Sequence, residues 1–87
     1  MPVVFRYKGF RFLFYSNEGD PREPVHIHVL KDSVDAKFWL WPDVLVEYND
    51  GFNARTLREL TEIIEQRREE ITRVWDDFFG EGNQRSL

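Results

Sequence analysis

The hydrophobic period changes once along this chain, and that change limits what it can fold into. Phe10, Phe12 and Phe14 recur at every second position. Such spacing lines one face of a strand, whereas a helix would scatter the rings around its circumference. In the second half Leu57, Leu60, Ile63, Ile64, Ile71, Val74, Trp75 and Phe78 fall at steps of three and four. Those steps make one helical stripe. A sheet built by the first half therefore has to bury its Phe face against a helix built by the second.

Turn formers divide the sheet half. Val3 to Tyr7 is an apolar segment ended by Lys8-Gly9. Phe10 to Tyr15 is the second strand, and Ser16 to Pro24 is a loop dense in Gly, Pro, Asn and Asp. Val25 to Leu30, Val34 to Trp41 and Val44 to Tyr48 read as three further strands, separated by Lys31-Asp32-Ser33 and Pro42-Asp43. The short connections predict hairpins rather than parallel crossovers. The expected fold is α+β, a mostly antiparallel sheet of four to five strands packed on one long C-terminal helix.

That helix is predicted from about Ala54 to Phe79, with Asn53 as N-cap and Gly80 at its end. At 1.5 Å per residue it would run about 39 Å, roughly twice the length of a six-residue strand. It must overhang the sheet or bend. Arg67 and Arg68 interrupt the stripe and mark the natural place for a bend. The Trp75-Phe78-Phe79 cluster beyond them then needs a cover, which a partner or second subunit would supply.

Size and composition narrow the class. The chain has 87 residues and no cysteine. One domain, residues 1–80, is expected, with 81–87 as a flexible tail. Neither a disulfide framework nor a thiolate zinc cage is available to so small a core. Eight Phe, three Tyr and three Trp supply the bulk instead. No apolar run reaches the roughly 18 residues of a membrane helix, and no long apolar leader opens the sequence, so a cytoplasmic location is expected. The net charge of −4 is uneven. Residues 1–40 hold six Lys/Arg against five Asp/Glu, and residues 41–87 hold six against eleven.

Sorting the strands by face gives a candidate working surface. With the Phe residues turned to the helix, the opposite face carries Arg6, Lys8, Arg11, Tyr15, His26, His28, Lys37, Trp39 and Trp41. Rings interleaved with cations suit single-stranded RNA, where bases stack and phosphates pair. The same residue types are also enriched at protein–protein hot spots. The acidic helical half would confine any RNA contact to the sheet face.

His26 and His28 are the chain's only histidines. Two residues apart on a strand they point the same way, about 7 Å apart. Three uses follow. Both could ligate one divalent transition metal, with Asp35, Glu18, Asp20 or Glu23 as a further ligand. They could act as general acid and base on an RNA phosphodiester, with Lys37 or Arg11 stabilising the developing charge. Or they are half-exposed histidines hydrogen-bonded to Tyr15, Trp39 or an acid for structural reasons.

Four blocks carry a family resemblance: Phe10-Arg11-Phe12-Leu13-Phe14-Tyr15-Ser16-Asn17-Glu18-Gly19, His26-Ile27-His28-Val29, Ala36-Lys37-Phe38-Trp39-Leu40 and Gly51-Phe52-Asn53-Ala54-Arg55. In order and spacing the chain resembles the family domain of unknown function 4160 over about residues 2 to 80. Members of that family are small bacterial proteins. They are often encoded beside a second small family, domain of unknown function 2442, and are regarded as toxins whose neighbour is the antitoxin. The resemblance implies a toxin–antitoxin role with a small partner protein. This chain departs from the family in the longer Pro21-Arg22-Glu23-Pro24-Val25 approach to the histidines and in Thr56, where the family has an acid at the helix entry. The expectation is a toxin-side component that binds its partner through Arg6, Arg11, Tyr15, Lys37, Trp39 and Trp41, and acts on RNA through His26 and His28. The alternatives are a non-catalytic dimeric binding module using the same face, and a small metal-binding protein centred on the His pair.

Overall fold

The computed structural model describes residues 3–18 and 23–80. Five strands come first: β1 (Val3–Tyr7), β2 (Phe10–Leu13), β3 (His26–Lys31), β4 (Val34–Trp39) and β5 (Leu45–Asn49). They pair antiparallel in sequence order. A single 3-10 turn, Ser16–Glu18, follows β2. The tail expected at 81–87 lies outside the described residues.

Turn chemistry sets this meander. Lys8 and Gly9 hold φ of 51° and 83° between β1 and β2. Two consecutive left-handed residues match the right-handed twist of a tight hairpin, and glycine takes the second place without steric cost. Asp32, at φ 56°, turns β3 into β4. At the end of β5 the Asn49 carboxamide oxygen accepts from the amides of Gly51 and Phe52, turning the chain toward the helices.

The single long helix of the expectation is replaced by two, α1 (Ala54–Gln66) and α2 (Arg68–Phe79). The break falls at Arg67, whose φ and ψ of −111° and 17° leave helical geometry. Each arginine at the break is used on a different part of the sheet. The Arg67 guanidinium lies 3.7 Å from the centroid of Phe5 on β1 and pairs with Glu70 at 3.0 Å. Arg68 sits 4.0 Å over Trp41 and donates to the carbonyls of Leu40 and Pro42 at 3.2 Å. The residues that interrupt the apolar stripe thus tie the bend to β1 and to the end of β4.

Both helix ends are capped as the sequence predicts. Asn53 accepts from the Thr56 amide at 2.8 Å, and Gly80 adopts φ 76° with its amide on Asp76. Asn53→Ala is expected to cost about 1 kcal/mol, read from urea unfolding, because one N-terminal amide loses its acceptor.

The core lies between the sheet and the two helices. Phe10, Phe12, Phe14, Ile27, Val29, Ala36 and Phe38 meet Leu60 and Ile64 of α1 and Ile71 and Trp75 of α2. Trp75 touches Phe14 edge-on at 5.0 Å and Phe79 at 4.3 Å. The expected need for an external cover over the Trp75 cluster therefore narrows to Phe78, which is exposed. α1 is also fastened to the first hairpin. Tyr7 and Lys8 both donate to Glu59, at 2.9 and 3.1 Å. Those two bonds hold the Glu59 carboxyl below its ordinary pKa, and the bond to Glu59 raises that of Lys8.

Two bulges reset the faces. Val3 lies opposite Leu13 and Phe5 opposite Phe12, so an extra residue sits between Val3 and Phe5. Phe5 stacks on Phe12 at 4.3 Å, while Val3, which strict alternation from Phe5 would turn to the same face, is exposed. In β5 the partners Phe38↔Val46 and Lys37↔Tyr48 leave Glu47 as the extra residue. Val46 and Tyr48, two apart in sequence, consequently lie on opposite faces.

Candidate functional site

The face away from the core is a grid of cross-strand neighbours. One row runs Arg6, Arg11, Leu30 and Asp35; the next runs Leu13, His28, Lys37 and Tyr48; the third pairs His26 with Trp39. The alternation predicted this facing for both histidines. It did not predict their burial. His26 and His28 are 0% and 2% exposed, where half-exposed side chains were expected. Leu13 is also fully buried, yet lies outside the helix-side core cluster. The middle of this face is therefore closed rather than open.

Aromatic rings account for much of that closure. Tyr15 lies 4.3 Å from His28, and the two imidazoles meet edge-on at 5.2 Å. Trp39 approaches His26 at 5.5 Å and Trp75 of α2 approaches it at 4.8 Å. α2 reaches His26 because β2 ends and β3 begins at the end of the sheet that Trp75 covers.

Hydrogen bonding fixes the ring tautomers. His26 Nδ1 is 2.9 Å from the Pro24 carbonyl oxygen. A carbonyl only accepts, so Nδ1 carries a proton, and the ring's second nitrogen is Nε2. Tyr48 donates its hydroxyl proton to Asp35 Oδ2 at 3.0 Å. Its oxygen can then accept from His28 Nδ1, a long contact of 3.4 Å. His28, Tyr48 and Asp35 form a chain that orients one imidazole with Nε2 as the basic nitrogen. A positioned base needs an orienting partner of this kind.

Lys37 and Trp39 form the rim. The Lys37 ammonium lies 4.5 Å above the Trp39 ring and 3.4 Å from Glu23 Oε1. The Trp39 indole donates to Glu47 Oε1 at 2.6 Å. Tyr15, Lys37 and Trp39 are all half-buried, each with part of its surface in solvent.

The structure thus brings together Tyr15, His26, His28, Lys37 and Trp39. Arg6 and Arg11 are cross-strand neighbours of each other on the same face, one row away. Trp41 does not join them. It leaves β4, stacks on Arg68 and donates to Thr72 of α2 at 2.9 Å. With Glu69, Thr72, Arg73, Asp76 and Asp77 it lines an open groove that includes neither histidine.

Among the described residues no three His, Asp or Glu side chains are placed to hold an ion. Glu23 and Asp35 approach the histidines at 3.9 Å, but at Nδ1, the nitrogen already engaged in each ring. Asp20 and the Glu18 side chain lie outside the described residues.

Tyr48 and Trp75 are the site residues that sequence reasoning missed. Strict alternation would put Tyr48 on the face of Val46, and only the Glu47 bulge turns it toward His28. Trp75 belongs to the helical stripe, and nothing in that stripe signals its contact with a residue on the far face of the sheet.

No curated protein and no solved structure matches the chain. One family does, over a segment that begins just before β2, spans the histidine strand and the Trp39 strand, and runs into α2. The match to Domain of unknown function (DUF4160) covers residues 9–76, well over half of the chain, and the chain belongs to that family.

Proposed function

We propose that this protein is the toxin-side component of a bacterial toxin–antitoxin pair and that it engages a small partner protein through the sheet face around Lys37 and Trp39. The observation that carries this reading is the division of that face. His26, His28 and Leu13 form a closed, fixed bed, while Tyr15, Lys37 and Trp39 stand above it, each with a minor part of its surface in solvent. A rigid aromatic-and-cation anchor with buried support is the make-up of a binding hot spot. The class of partner is the one that the family resemblance implies, a small protein encoded beside it.

The test is conditional expression. Induction should arrest growth, co-expression of the neighbouring small protein should restore it, and Lys37→Met should weaken the rescue without lowering the melting temperature. No arrest on induction removes the toxin role. Full rescue of the Lys37 variant removes this face as the contact.

A second reading, acid–base action on RNA through His26 and His28 with Lys37, draws on the His28–Tyr48–Asp35 chain. His28→Gln keeps a polar group of similar length. Growth arrest that persists in this variant takes the histidine out of the mechanism.

A further inference from the structure

β5 ends the sheet, and among the described residues no strand pairs with its outer side. All five of its residues are exposed. Leu45 is 57% exposed on the face of Trp39, and Val46 is 42% exposed on the face of Phe38. The strand is apolar on both faces exactly where its backbone is open. Natural edges are commonly protected by lysine or by proline within the strand. β5 has neither; its protection is the bulge at Glu47, and that carboxylate is drawn to the Trp39 indole on one face.

Charge decides what can pair there. Between Lys37 and Arg55 the chain has no Lys or Arg, but it has Asp43, Glu47 and Asp50. A second copy docked through the same edge would set these acids against their own equivalents, and like charges opposite one another are destabilising. The complementary occupant is a basic one.

We propose that β5 receives an extended, lysine- or arginine-bearing segment of a partner protein as a sixth strand. Backbone hydrogen bonds to the open edge supply the attachment, as in other cases of strand addition. Alternate apolar side chains of the segment cover Leu45 and Val46. Its cations meet Asp43, Glu47 and Asp50. This goes beyond the sheet-face reading above and uses the strand edge, which adjoins that face at Leu45 and Glu47; Asp43→Lys tests the edge and Lys37→Met the face, so either can fail alone.

The probe is a short synthetic peptide of alternating lysine and valine, titrated into the 15N-labelled full chain, with a glutamate–valine peptide as control. The expected result is amide shifts and slowed hydrogen exchange centred on 45–49 with the lysine peptide alone. Glu47→Lys or Asp43→Lys should each weaken binding about fivefold, the scale of one exposed ion pair. Asp43 takes no part in strand pairing, so that variant preserves the sheet. The proposal is overturned by equal binding of the glutamate peptide, by shifts centred on Lys37 and Trp39, or by no shift at millimolar peptide. It is also overturned if the chain alone dimerises with the β5 amides protected, since the occupant is then a second copy.

Discussion

Trp75→Ala should cost about 3–5 kcal/mol in urea unfolding, the range for truncating a buried large aromatic. Trp75 is 1% exposed and joins three parts of the molecule. Its ring meets Phe14 just after β2, Phe79 on its own helix and His26 at the start of β3. Removing it opens a cavity that no neighbour on a bent helix can fill without moving. At roughly 0.05–0.15 kcal/mol per residue, a chain of this length has about 4–13 kcal/mol to lose. The variant should therefore melt at least about 12 °C lower, or be unfolded outright. Trp75→Phe should retain most of the stability, because it keeps the edge contacts. A loss below about 1 kcal/mol for Trp75→Ala would show that α2 does not close this end of the sheet.

The largest effect on binding is expected from Trp39→Ala. Affinity for the proposed partner protein should fall by about 30-fold or more, measured by calorimetry, since a central Trp in a protein interface is worth about 2 kcal/mol or more. The fold should survive. Trp39 is half-buried, and Glu47, its hydrogen-bond partner, is exposed and can turn to water. Lys37 would lose the ring beneath its ammonium but keep Glu23. Arg6→Ala, one row removed and exposed, should change affinity by less than threefold, as rim charges do. If Trp39→Ala binds as tightly as the native chain, the proposed face is wrong.

Much of this fold is legible in the residue pattern. The alternating Phe residues, the turn at Lys8-Gly9, the cap at Asn53 and the stripe from Leu57 onward each state their local geometry. The break at Arg67 and Arg68 is also visible, as a gap in that stripe. Its consequence is not, because two helices instead of one follow from what those arginines find on Phe5 and Trp41. The site was half legible. The alternation puts His26, His28, Lys37 and Trp39 on one face, and they share one. It groups Trp41 with them, although the chain has by then left the strand and turned to α2.

By itself the sequence determined the strands, their order, the helical character of the second half and the facing of every strand residue whose neighbours keep strict alternation. Those properties are local, set by backbone sterics and by a period of two or of 3.6. The tertiary structure decided the rest. Two bulges exchanged the faces of Val3 and Tyr48, and a bend in the helical half carried Trp75 onto His26. The histidines consequently lie beneath the surface of that sheet face rather than on it. Burial is a sum over contacts from distant segments, and a pattern read along one strand contains no term for them.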